Sequence, residues 1–178
     1  LNKLTIKAFN ELWFRRSSSQ KSNFQTISQF FHPLDGISNW NRIYGSQGFY
    51  QYQFVVPDDK NYFIEKTLDK LKKYSVNSFL TVLKRFGSSN NAFLSFPQPG
   101  WTLCVDLPGS NKNLLGVLND LDNELALIGG KIYLAKDLRQ SPEIFKKTYH
   151  HYEKWRSIKQ EMDPDNIFQS DLSRRLRI

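Results

Sequence analysis

Lys136 is the residue best placed for chemistry. It follows the apolar run Ile132-Tyr133-Leu134-Ala135 and precedes Asp137, so a short strand would deliver its ammonium to the rim of a core sheet. An ammonium held there can stabilise negative charge developing on a bound group. If burial lowers its pKa, it can also take up a proton. A strand end in solvent is the plainer setting for a lysine. Gln51 and Gln53 alternate with Tyr50, Tyr52 and Phe54, which puts two amides on one face of a strand, able to donate and accept towards hydroxyls. Lys84 stands among Leu80, Val82 and Phe86, where an ammonium is out of place unless it meets an anion or reaches water. Thr102 and Cys104 share a parity between Trp101 and Leu107. Nothing around Cys104 signals a lowered pKa, so the thiol reads as lining, not as a nucleophile. His150-His151 lack metal-ligand spacing, and no glycine-rich phosphate loop, catalytic triad or zinc pattern occurs.

The elements that must position these groups follow from hydrophobic period. Phe49 to Val56 reads as a strand stopped by Pro57-Asp58. Asp58 or Asp59 can cap a helix carrying Phe63, Ile64, Thr67, Leu68 and Leu71. Phe79 to Phe86 and Trp101 to Leu107 read as further strands, and Leu114 to Leu127 as a second amphipathic helix ended by Gly129-Gly130. A strand to Ala135 follows, then one helix with Phe145, Tyr149, Tyr152, Trp155 and Ile158 along one face. The order βαββαβ predicts an α+β fold: a ferredoxin-like split βαβ antiparallel sheet with both helices on one face. Gln51, Gln53, Leu80, Val82, Lys84, Thr102 and Cys104 fall by parity and side-chain chemistry on the other, open face, a mixture suited to a small polar ligand with an apolar part. Residues 1–48 are aromatic but broken by Ser, Asn, Gly and Pro, which predicts irregular loops. The expected division is thus a loop-rich segment 1–48, the ferredoxin-like unit 49–140, and a C-terminal helix and tail 141–178.

Composition narrows the setting. The 178 residues carry a net charge of +8, a balance that suits phosphate-bearing ligands, anionic membrane surfaces or nucleic acid, or is simply solvated surface. Cys104 is the one cysteine, which excludes an internal disulfide and a cysteine-based metal cluster and makes a reducing, cytoplasmic context the simpler one. No apolar run approaches the roughly 18 residues of a spanning helix. The chain opens on Leu1 and its one methionine is Met162, so it reads as part of a longer protein.

The runs Gln29-Phe30-Phe31-His32-Pro33-Leu34-Asp35, Tyr50 to Phe54, Leu80 to Gly87, Leu94-Ser95-Phe96-Pro97, Gly100 to Asp106 and Leu134-Ala135-Lys136-Asp137 occur in order. Together they resemble the C-terminal part of the decaprenylphosphoryl-β-D-ribose 2′-oxidase family, flavoproteins of the vanillyl-alcohol-oxidase type. Sugar-lactone and alditol oxidases share the lysine strand and the Asp-Pro…Phe tail more loosely. The resemblance implies a substrate (cap) domain facing FAD that is bound mainly by a preceding domain. The family oxidises the ribose 2′-hydroxyl of a polyprenylphosphoryl sugar to a ketone by hydride transfer to flavin. A separate NADH-type reductase completes an epimerisation that serves arabinan and cell-wall synthesis. It implies that Lys136 and Ala135 meet the flavin and that Lys136 is catalytic. It places Gln53, Gln51, Lys84, Cys104, Thr102, Leu80, Val82, Phe31 and His32 around the substrate, with no metal. Thr102 stands where the family has asparagine, and Phe31 where it has tyrosine. A lipid-linked substrate of this kind would also suit peripheral membrane contact.

Two other classes compete. RNA-binding ferredoxin-like modules share the strand order, and Gly48 to Phe54 superficially resembles their aromatic strand. Parity opposes that reading, because it turns the tyrosines towards the helices, so no nucleic-acid partner is expected. A structural domain that has lost activity is allowed by Thr102 and Phe31 but leaves Lys136, Gln53 and Lys84 without a purpose.

Overall fold

The structure, a computed structural model, describes residues 3–17, 22, 24–36, 38–40, 42 and 45–178. Its frame is a four-stranded sheet in the order β2-β3-β1-β4, formed by β1 (Phe49–Pro57), β2 (Thr81–Phe86), β3 (Gly100–Pro108) and β4 (Lys131–Ile132). All neighbours are antiparallel. The helices α3 (Tyr62–Lys73) and α4 (Leu114–Leu127) complete the α+β, split-βαβ arrangement.

One face of the sheet is the core. The register sets Tyr52 opposite Val105 and Phe54 opposite Leu103, so their side chains point the same way. They pack against Phe63 and Leu71 of α3 and Leu118, Leu121 and Leu125 of α4. Helical spacing does this: positions four apart bring Phe63, Thr67 and Leu71 to one buried stripe. Leu68, expected in that stripe, is exposed instead. The chain leaves α4 through Gly129 at φ +76°, and Gly130 follows. A Cβ there would stand 2.2 Å from a Leu125 methyl, so only glycine fits this return to the sheet.

Several expectations need correction. Residues 1–48 are not all irregular: α1 (Lys3–Arg16) is a helix and α2 (Ile27–Phe31) a short one. The stretch of α1 has no Gly or Pro, ends on Arg15 and Arg16, and carries a Glu11–Arg15 pair, all favourable to helix. Its aromatic residues obscured that pattern. Neither Asp58 nor Asp59 caps α3; they form a single 3₁₀ turn before Asn61. β2 begins at Thr81, not Phe79.

The strand expected to run to Ala135 stops at Ile132, and Leu134–Lys136 forms a 3₁₀ turn. The last rung is Tyr133 N–H donating to the Gln53 carbonyl. Lys136 therefore sits on a turn beyond the sheet. The single C-terminal helix is also broken, into α5 (Pro142–Thr148) and α6 (Tyr152–Met162), followed by α7 (Asp171–Leu176). The Thr148 hydroxyl bonds the Ile144 and Phe145 carbonyls, and Tyr149 leaves helical geometry to place its hydroxyl 2.7 Å from the Ile132 carbonyl. His150 and His151 fall in the break and are exposed, and Ile158 is exposed too. Phe145, Tyr149, Tyr152 and Leu176 form a second apolar cluster that Trp155 borders.

Phe54 is fully buried, with ring contacts to Tyr52 and Phe63. Phe54→Ala is expected to cost about 3–5 kcal/mol, read as a lower urea midpoint at unchanged slope; a loss under about 1 kcal/mol would contradict this packing. Burial also holds the Tyr52 and Tyr149 phenols above their ordinary value. The folded chain keeps both protons where the unfolded chain releases them, so stability falls as pH rises past about 10. Urea midpoints at pH 8 and 10.5 measure the fall, and the Tyr52→Phe/Tyr149→Phe variant should flatten it.

Candidate active site

Three rows of side chains cross the sheet on the face away from α3 and α4. Val55, Thr102 and Lys84 form one; Gln53, Cys104 and Val82 form the next. Gln51 and Asp106 form the third, and the Leu80 carbonyl accepts the Asp106 N–H at its end. Lys131 pairs with Val55 and so joins the first row. The register thus brings Gln51, Gln53, Leu80, Val82, Lys84, Thr102 and Cys104 to one surface.

That surface is more covered than an open sheet. Gln53, Thr102, Cys104 and Asp106 are all buried, whereas Lys84 is exposed. One wall is aromatic: Phe96 lies 4.6 Å from the Tyr133 ring and meets Phe86 edge-on. Lys131 fastens this wall, its Nζ 3.0 Å from the Ser95 carbonyl. Burial pulls the Lys131 ammonium below its ordinary pKa.

The turn after β4 then carries Lys136 back over the sheet. Its Nζ donates to Cys104 Sγ at 3.3 Å. Burial pushes the Cys104 thiol up, and the Lys136 ammonium pulls it partway back, so the sulfur is a neutral acceptor beside a fixed cation. Next to it, Gln53 Nε2 donates to Thr102 Oγ1 at 3.1 Å. The threonine hydroxyl therefore orients the amide. Gln51 Nε2 donates to Asp106 Oδ1 at 3.0 Å. Ala135 is exposed on the turn beside Lys136. Chemically this is a partly desolvated patch with an ammonium, an oriented amide and a neutral thiol, bounded by apolar and aromatic side chains. Such a patch can hold a hydroxylic ligand and favour negative charge next to it.

Phe31 and His32 lie at the end of α2. Both are exposed, with local contacts: Phe31 edge-on to Phe30, and His32 N–H to the Ser28 carbonyl. Lys131, Asp106 and Tyr133 went unpredicted. Lys131 was within reach, because parity across a strand starting after Gly130 sets it on the Val55 face. A separate cavity of about 390 Å³ opens beside α6 and α7, lined by Arg156, Lys159, Asp163 and Arg174 among others. Among the described residues no group of acidic, histidine or cysteine side chains could hold a metal.

Known proteins bear on this geometry. Residues 111–176, which include Lys136 and its turn, match the family described as D-arabinono-1,4-lactone oxidase. Decaprenylphosphoryl-beta-D-ribose oxidase of Mycolicibacterium smegmatis is 42% identical over 177 residues, which is 99% of this chain and 38% of that protein. An uncharacterized protein in the mprA 5′ region of Streptomyces coelicolor is 41% identical over 95 residues, 53% of this chain and 26% of that one. The chain thus spans well under half the length of the curated relatives it matches. Along nearly all of its own length it is a relative of decaprenylphosphoryl-beta-D-ribose oxidase, and its C-terminal part carries the D-arabinono-1,4-lactone oxidase pattern.

Proposed function

We propose that this chain is the substrate-facing domain of an FAD-dependent oxidoreductase that oxidises a sugar hydroxyl to a ketone, with a polyprenylphosphoryl ribose 2′-hydroxyl as the substrate class. The observation that carries the reading is the Lys136 ammonium, set on the sheet beside Gln53 and Cys104 in a chain related to such an oxidase. The residues suit a flavin: a cation faces a patch whose carboxylate Asp106 is buried and held by Gln51, so a ring gaining negative charge would meet attraction. Lys136 and Ala135 would border that ring, the rest of the flavin being held by the remainder of the protein. Bound FAD would accept the hydride.

The chain's own residues do the rest. Lys136 holds positive charge where negative charge develops. Gln53, oriented by Thr102, presents its amide to the sugar, and Val82 and Cys104 exclude water from one side. The exposed Lys84 ammonium suits the phosphate, as a point charge at the rim. A ketone made here would be the substrate of a separate NADH-type reductase. No described helix is long and apolar enough to cross a membrane. The D-arabinono-1,4-lactone oxidase match supports a second reading on the same residues, a sugar-lactone or alditol oxidase, in which Lys84 faces no phosphate.

The first test is the visible spectrum of the whole protein that carries this chain, followed by anaerobic bleaching with candidate sugars. Flavin bands and bleaching by a phosphoryl ribose are expected; a colourless protein that FAD cannot reconstitute would overturn the reading. Lys136→Ala should keep the flavin bands and lower kcat by about 10²-fold or more. Near-normal turnover would remove Lys136 from the chemistry.

A further inference from the structure

The turn that carries Lys136 has little sheet to hold it. β4 is two residues long and its last rung is at Tyr133, so the backbone from Leu134 onwards needs other anchors. Asp137 supplies the first. Its side chain is almost completely buried, and Oδ1 accepts the N–H groups of Arg139 and Gln140 at 3.0 and 2.9 Å, closing a tight Asx-type loop. Oδ2 receives no hydrogen bond, but it lies 3.0 Å from Nη2 of Arg175. That guanidinium also bridges the loop's two carbonyls: Nη1 donates to Gln140 O at 2.6 Å and Nη2 to Asp137 O at 3.0 Å.

Arg175 is itself placed from outside the sheet. A helix as short as α7 does not stand alone. A Ser170–Ser173 capping box starts it, and the fully buried Leu176 ties its end to Phe145, Tyr149 and Tyr152. Tyr149 is bonded in turn to Ile132 of β4. On the far side, Arg139 grips Asp122 of α4 with two hydrogen bonds of 2.5 and 2.8 Å, fixing where the loop leaves.

We propose that Arg175 is the positioning residue for the Lys136 ammonium, holding it against Cys104 and Gln53 through Asp137. The proposal rests on Lys136 having the role given above. A guanidinium is required because one planar fork must reach two carbonyls and face a carboxylate together; a lysine at 175 has the charge without the span.

The test is a double-mutant cycle in the whole, FAD-loaded protein, using Lys136→Ala, Arg175→Met and the pair. One readout is kcat against KM. The other is the pH at which Cys104 is half-maximally alkylated by iodoacetamide, followed by the mass of its peptide. The charged groups facing that thiol are Lys136, Lys84 and Asp106, so losing or misplacing the Lys136 ammonium moves the midpoint upwards.

Arg175→Met is expected to lower kcat by about 10²-fold, the scale of an ångström's misplacement, with KM little changed, and to raise the Cys104 midpoint. In the Lys136→Ala background it should do neither. Arg175→Lys should not rescue. Independent losses in kcat, an unmoved midpoint, or alkylation made faster by one factor at every pH would each overturn the proposal and leave Arg175 a fold contact. If Arg175→Met does not fold, Asp137→Asn keeps the Oδ1 acceptor, removes the charge and enters the same cycle with the same expectations. If Lys136→Ala alone leaves turnover and midpoint unchanged, the role of Lys136 fails first.

Discussion

The register between β1 and β3 is the constraint on which everything else rests. With Phe54 opposite Leu103 and Gln53 opposite Cys104, one face of the ribbon is mainly apolar, the Tyr52 hydroxyl being an exception, and the other carries Gln51, Gln53, Thr102 and Cys104 of the candidate site. A slip of β1 by one residue would turn its side chains over, moving Gln53 beneath the helices and Phe54 outwards. The apolar contacts with α3 and α4 therefore stabilise the fold and assign the chemistry to its face in one step. Thr102 shows how close the two functions lie. It is a side chain of the sheet, and its hydroxyl orients the amide beside the lysine.

Polar groups inside the molecule follow a similar economy. Tyr52 belongs to the apolar core, yet its hydroxyl donates to Asp122, which Arg139 grips from the loop beyond Lys136. The guanidinium also lies over the Tyr52 ring at 5.2 Å. A buried carboxylate is tolerated there because a bidentate guanidinium and a phenol satisfy it. Gln140 is different. It is fully buried, and neither its amide nitrogen nor its amide oxygen has a hydrogen-bond partner, and we have no physical account of it.

What was legible in the amino-acid sequence was what repeats locally. The span of α4 is the one its leucine spacing marks, and parity together with side-chain chemistry grouped Gln51, Gln53, Val82, Lys84, Thr102 and Cys104 as the register groups them. What escaped was decided by single contacts between distant segments. The break at Tyr149 follows from one hydroxyl reaching Ile132, and the short β4 from a loop closed by Asp137 and Arg175. A periodic pattern carries no trace of such bonds. In α1 the pattern itself misled, since its aromatics do not gather on one buried stripe; Phe9, Trp13 and Phe14 are exposed.

β2 is the outermost strand of the sheet, and Thr81, Leu83, Lys84 and Arg85 are exposed along it. An outermost strand is a template onto which another chain could pair, and adjacent cations on such an edge oppose that by mutual repulsion between copies. Lys84 on this edge thus guards colloidal behaviour. Removing its charge lowers the barrier to edge-to-edge association. A fall in activity in such a variant has to be separated from a fall in monomer concentration before either is assigned to the ammonium.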